Sequence, residues 1–118
     1  MDISSWVSRL GFGKKTSVRT LKSVEFRSEM EQSKHKLLID VREPDEYKSG
    51  CIPGAKNIPL SQLEQRLSEI PKDREVLLYC RSGMRSKSAA RILSKHGHTR
   101  LAHLQGGLSS WDGKLGRR

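Results

Sequence analysis

Two nearly continuous apolar runs punctuate the chain, KLLIDV at 36–41 and EVLLY at 75–79. A strand exposed on one face alternates apolar and polar residues, so unbroken runs predict strands covered on both faces. The other apolar residues recur mostly at helical spacing. Val24, Phe26 and Met30 within KSVEFRSEMEQSK (22–34) share a helical face, with Ser23 available as a cap near its start. EPDEYKSG turns into a short helix that Gly50 can end. Leu63, Leu67 and Ile70 predict a helix over 61–70, with Ser61 and Glu64 in capping-box positions and Pro71 as its break. RSKSAARILSKHG (85–97) predicts a helix with Ala89, Ala90, Ile92 and Leu93 inward and Gly97 as the stop. SVRTL (17–21) and TRLAHL (99–104) read as short strands, and the two prolines of IPGAKNIPL (52–60) allow at most a brief edge strand. Strand and helix alternate throughout, which predicts an α/β fold with a mostly parallel sheet and helices on both faces. No internal repeat is evident.

The 118 residues suffice for one core without staples. The expected organisation is an N-terminal arm (1–16), a folded domain (17–113) and a basic C-terminal tail (114–118). In the arm, Trp6, Val7, Leu10 and Phe12 are the apolar anchors of a short docking helix or a loose segment. Neither a secretory leader nor a membrane-length apolar stretch is present, so a cytoplasmic location is expected. The two cysteines, Cys51 and Cys80, form no CxxC pattern, and a reducing compartment argues against a disulfide. The net charge of +10 is uneven, with nine Lys/Arg against one Asp/Glu in residues 80–118. Few aromatics and no zinc-finger or RNA-binding motif argue against nucleic acid. A field that draws small anions toward Cys80 accounts for the asymmetry with fewer assumptions.

Cys80 itself carries the strongest chemical signal. It ends a buried strand and is followed by RSGMR and then a helix, and carboxyl ends of parallel strands are where ligands collect. The intervening loop can curl its N–H groups inward as an anion nest, with Gly83 supplying the positive φ such a curl needs. The helix start adds free amides and the positive end of its dipole, and Arg81 and Arg85 add two guanidinium groups. Such surroundings favour a thiolate, open to solvent and ready to react.

YCRSGMRS resembles the active-site loop of single-domain rhodaneses, the thiosulfate sulfurtransferases. LIDVREPDEYKSGCIPGAKNIPL is similar to that family's first signature and LQGGLSSW to its C-terminal one, so the resemblance covers about residues 18–112. It implies a rhodanese-like five-stranded sheet flanked by helices, with Cys80 as the nucleophile. The thiolate would take the outer sulfur of thiosulfate, release sulfite, and pass the stored sulfur to cyanide or a thiol. Amides of residues 81–85, from Arg81, Ser82, Gly83, Met84 and Arg85, would stabilise the persulfide. Implied partners are a small anionic sulfur donor and a thiol or thioredoxin-like acceptor; no cofactor or metal is called for.

Three rival readings remain at this point. Phosphatases and arsenate reductases with a related Cys-to-Arg loop have one residue more between those two, and the phosphatases a histidine where this chain has Tyr79. A non-catalytic rhodanese-like binding module is the second, although such modules often lack the cysteine retained here. The third is a sulfur carrier whose donor is another protein's persulfide, with thiosulfate a laboratory substitute.

Several residues admit two roles each. Arg85 binds substrate or serves the scaffold, whereas Arg81 faces solvent and sets substrate preference. Ser82 and Ser86 bond to the sulfur, or Ser86 caps the helix, the favoured reading. Asp40, Arg42 and Glu46 read as an ion-pair scaffold beside the site, since thiosulfate has no proton to remove. Trp111 behind QGG reads as core packing. His96, His98 and His103 read as ordinary surface or strand residues. Cys51 stands where the family usually has histidine; it is a tolerated replacement or a second thiol able to exchange with a Cys80 persulfide.

Overall fold

The structure, a computed structural model, describes residues 18–116. The expected arm at 1–16 therefore lies outside the described residues. Strands β1 (Arg19–Leu21), β2 (Lys36–Asp40), β3 (Lys56–Asn57), β4 (Glu75–Tyr79) and β5 (Leu101–Leu104) form one sheet in the order β1-β5-β4-β2-β3. Every pairing in it is parallel. Among the described residues three α-helices connect the strands: α1 (Ser23–Gln32), α2 (Pro44–Ser49) and α3 (Met84–Lys95).

The unbroken apolar runs are explained by two cores, one on each face of the sheet. Along β4, Val76 and Leu78, with Cys80 beyond its end, point into a cluster with Ala89, Ala90 and Leu93 of α3. Leu77 and Tyr79 point the other way, into a cluster with Phe26 of α1. Both faces are therefore dry, and alternation has nothing to report. Trp111 packs edge-on against Phe26 with ring centroids 6.2 Å apart, as the packing reading expects.

Three local expectations change. Val24 is exposed, because residues two apart on a helix point to nearly opposite sides and Phe26 takes the core. Ser23 is not the cap of α1; it lies inside the helix and exchanges hydrogen bonds with Asp112, while Glu25 accepts the Lys22 N–H at the helix start. The segment 61–70 is not an α-helix. It forms two 3₁₀ turns, Leu60–Gln62 and Glu64–Glu69, with Arg66 off helical geometry. Ser61 sits within the first turn, so no capping box forms. Leu63 and Ile70 nevertheless reach the core, which fixes the segment whatever its helical type.

The end of the chain is tied to the domain. Gly116 and Cys51 exchange backbone hydrogen bonds of 2.7 Å each way, and Trp111 Nε1–H donates to the Lys114 carbonyl. The backbone of Lys114 and Gly116 is thus bonded to the domain, with the Lys114 and Leu115 side chains exposed, while 117–118 lie outside the described residues. No helix among the described residues is long and apolar enough to cross a membrane.

Candidate active site

Parallel pairing of β4 between β2 and β5 brings three connections to one end of the sheet: the turn after β2, the loop after β4 and the glycine turn after β5. Cys80 leaves β4 with its side chain on the α3 side. The chain then curls through Gly83, whose φ of 102° is the left-handed geometry anticipated for it, and enters α3 at Met84. The sulfur accepts the Gly83 N–H at 3.0 Å and the Ser86 N–H at 3.3 Å. First-turn amides of a helix have no partner of their own. Sγ supplies one, and so occupies the place of a side-chain cap at the positive end of the helix.

Ser86 is therefore not the cap. It is fully buried in the first turn of α3, and its hydroxyl lies 3.7 Å from Sγ, 3.3 Å from the Gly83 carbonyl and 3.0 Å from His103 Nδ1. His103 in turn reaches Thr20 Oγ1 through Nε2 at 3.3 Å. His103 is the residue that sequence reasoning missed. A polar side chain in the middle of a strand with dry neighbours on both sides needs a buried partner, and that was the available signal.

The other histidines also separate. His98 is buried, with Nε2 2.8 Å from the Ile70 carbonyl, so it is neither a surface nor a strand residue. His96 is exposed, 3.4 Å from Glu64.

The loop is held from outside by the glycine turn. The Leu108 N–H donates to the Cys80 carbonyl at 2.9 Å, and the Ser109 N–H and Oγ–H both donate to the Arg81 carbonyl at 3.0 Å. Gly107 lies directly against these two carbonyl groups. Cys80 itself, in the cluster on the α3 side, has no exposed surface. The expectation of a thiol open to solvent is thus corrected: the sulfur is cradled and closed. The exposed side chains of the loop are Arg81, Ser82 and Met84, and Arg81 borders a cavity of about 220 Å³ together with Arg42, Leu108 and Ser109.

The guanidinium groups divide by role. Arg85 grips Glu46 with two bonds of 2.7 and 3.0 Å, which is the scaffold role. Arg42 instead pairs with Asp40 through Nε and Nη2, the shortest contact being 2.7 Å, and also donates to the Gly50 carbonyl. The expected Asp40–Arg42–Glu46 set is thus two pairs, with Glu46 belonging to Arg85. Arg42 also lies over the Tyr79 ring, 5.8 Å from its centroid.

The bonds from Arg85 hold the Glu46 carboxyl at about 2, well below its ordinary value of 4.5. A depressed folded-state value stabilises the fold above pH 4.5, and that contribution disappears as pH falls toward 2. The pair is partly exposed, so its share is under about 1 kcal/mol. Urea unfolding midpoints should therefore fall more steeply with acid in the native chain than in Glu46→Gln over this interval. Parallel curves would show that the pair contributes nothing.

Cys51 and Cys80 are both buried and both reduced. Among the described residues no group of His, Cys, Asp and Glu is arranged to hold a metal ion.

Comparison with known proteins agrees with this geometry. The YqhL protein of Bacillus subtilis, which is uncharacterized, is 48% identical over 98 residues, covering 83% of this chain and 75% of its own. A sulfurtransferase of Allochromatium vinosum is 47% identical over 75 residues, covering 64% of this chain and 70% of its own. The crystal structure of a rhodanese-related protein from Thermoplasma volcanium superposes with a TM-score of 0.76 at 26% identity, over 85% of this chain and 99% of that one. The rhodanese-like domain pattern itself matches residues 23–114, and with a cradled cysteine at the carboxyl end of a five-stranded parallel sheet, the chain belongs to the rhodanese-like sulfurtransferase family.

Proposed function

We propose that the protein carries sulfane sulfur as a persulfide on Cys80, taking it from thiosulfate or a similar anionic donor and giving it to cyanide or a thiol. The observation that carries this reading is the sulfur cradle, two main-chain N–H groups within 3.3 Å of Sγ at a helix start. The thiolate attacks the outer sulfur of thiosulfate; the S–S bond of the donor breaks, sulfite leaves with its electron pair, and Cys80 keeps a terminal sulfur anion. Attack by the acceptor on that terminal sulfur restores the thiolate. Amides that hold the thiolate also face the persulfide, so the negative charge keeps its donors through both steps.

The closed sulfur adds a requirement. The outer wall of the loop, Arg81 to Met84, must part before a donor reaches Sγ. Arg81 and Arg42 border one cavity next to this loop, which supports a role for exposed Arg81 in holding the donor's sulfonate.

Incubation with thiosulfate followed by intact mass measurement tests the reading. A gain of one sulfur atom is expected in the native chain, and none in Cys80→Ala. An unchanged mass in the native chain, or the same gain in Cys80→Ala, would overturn it. Peptide mapping of the product also decides the role of Cys51. A persulfide that persists on Cys80 with Cys51 alkylatable removes the exchange role.

A further inference from the structure

We propose that Ser86, His103 and Thr20 form a proton path by which the buried Cys80 gains and loses its proton. The inference rests on the persulfide chemistry proposed above. Neither Cys80 nor Ser86 has exposed surface, and His103 is 5% exposed. A proton leaving Sγ therefore has no water to receive it while the loop is closed. Thr20, by contrast, is an exposed residue on the edge strand β1.

Register and helix position line the groups up. Thr20 and His103 are opposite one another in the β1–β5 pairing, so their side chains share a face. Ser86 comes down on that face from the first turn of α3. The resulting contacts are 3.7 Å from Sγ to Ser86 Oγ, 3.0 Å from Oγ to His103 Nδ1 and 3.3 Å from Nε2 to Thr20 Oγ1. Every member can both donate and accept a proton, which a path requires.

In the thiol state, S–H donates to Ser86, the Ser86 hydroxyl donates to Nδ1, and Nε2–H donates to Thr20. Ionisation moves each hydrogen one place. The S–H bond breaks as a new O–H bond forms at Ser86. The former Ser86 proton binds Nδ1, the Nε2 proton passes to Thr20, and the Thr20 proton leaves to water. The products are a thiolate facing a Ser86 hydroxyl, the other neutral tautomer of His103, and one proton in solvent. No oxidant or reductant takes part.

His103 must stay neutral for the shuttle to work in both directions. Burial, with the nearby Lys87 charge adding to it, holds its pKa below the ordinary histidine value. Lys87, the nearby charge on α3, is exposed, and Arg85 on the same helix is engaged with Glu46. On β1, Arg19 is already engaged with Glu29 and Glu75.

Nitrogen-15 NMR of the His103 ring, followed alongside the ultraviolet absorbance of the thiolate, tests the path. Subtracting the absorbance of Cys80→Ala isolates Cys80 from Cys51. His103 should change from the Nε2–H to the Nδ1–H tautomer over the same pH interval in which Cys80 ionises. A ring that keeps one tautomer throughout would overturn the path. Two variants supply the kinetic arm. His103→Leu should slow the ionisation of Cys80 after a pH jump, read by thiolate absorbance, about tenfold or more without changing its final extent. Thr20→Val, at an exposed edge where folding is not at stake, should slow it in the same direction. Unchanged rates in Thr20→Val would also overturn the proposal. A static tautomer with normal sulfur gain would leave the sulfur chemistry standing. Absent sulfur gain with a switching tautomer would remove the sulfur chemistry instead.

Discussion

Replacing Gly107 with alanine should destabilise the domain by about 2–5 kcal/mol and abolish persulfide formation in whatever remains folded. Two effects add. Its φ of 58° lies in the left-handed region, which costs an ordinary residue about 1–2 kcal/mol. A Cβ there would stand 2.5 Å from the Arg81 carbonyl carbon and oxygen and from the Cys80 carbonyl oxygen. These are backbone atoms, and no rotamer change can move them aside, so the clash behaves as overpacking worth about another 1–3 kcal/mol. The strain falls on the two peptide groups that aim the sulfur into its cradle. Gly54→Ala separates the two effects, because Gly54 also has positive φ (92°) but nothing within 4 Å of a new Cβ. Urea midpoints should place Gly54→Ala near the conformational cost alone and Gly107→Ala well beyond it. Equal losses in the two would show that the turn yields freely and does not press on the loop.

Asp40→Ala should lose a comparable amount, about 3–5 kcal/mol, for an electrostatic reason. The Asp40 and Arg42 side chains are 0% and 5% exposed. A buried ion pair gives little net stability over an apolar substitute, but removing one member strands the other. Arg42 would keep its bond to the Gly50 carbonyl and lose its counter-charge. The double variant Asp40→Ala/Arg42→Met should therefore be more stable than the single Asp40→Ala, although it departs further from the native sequence. If the double variant is the weaker of the two, the pair is held by its attraction and not by the penalty for splitting it. Glu46→Gln, at the partly exposed pair with Arg85, should lose far less than either.

The architecture and the cysteine loop were legible because each rests on a local rule. Nearly continuous apolar runs at 36–41 and 75–79 announced a sheet covered on both faces, and the run into Cys80 announced a strand end that opens onto a helix. What stayed hidden depends on partners distant in sequence. Ser86 looks like a cap until His103, on another strand, is seen beside its hydroxyl. Arg85 could have faced substrate, and only the position of α2 shows that Glu46 claims it. Closure of the sulfur was equally hidden, since it depends on how residues distant in sequence pack around the end of β4. At 61–70 the periodicity found the inward residues, Leu63 and Ile70, but could not tell a 3₁₀ turn from an α-helix.

The pairing of β1 with β5 also bears on how the protein is made. The strand nearest the start of the sheet segment waits for the one nearest its end, because Thr20 and His103 meet across most of the described chain. On a ribosome, β2, β3 and β4 can associate while translation continues, whereas the first strand has no neighbour until the last emerges. Such long-range closure makes assembly slow relative to a helical protein of equal length. The glycine turn that bonds to the Cys80 and Arg81 carbonyls would therefore be added late, after most of the sheet has emerged.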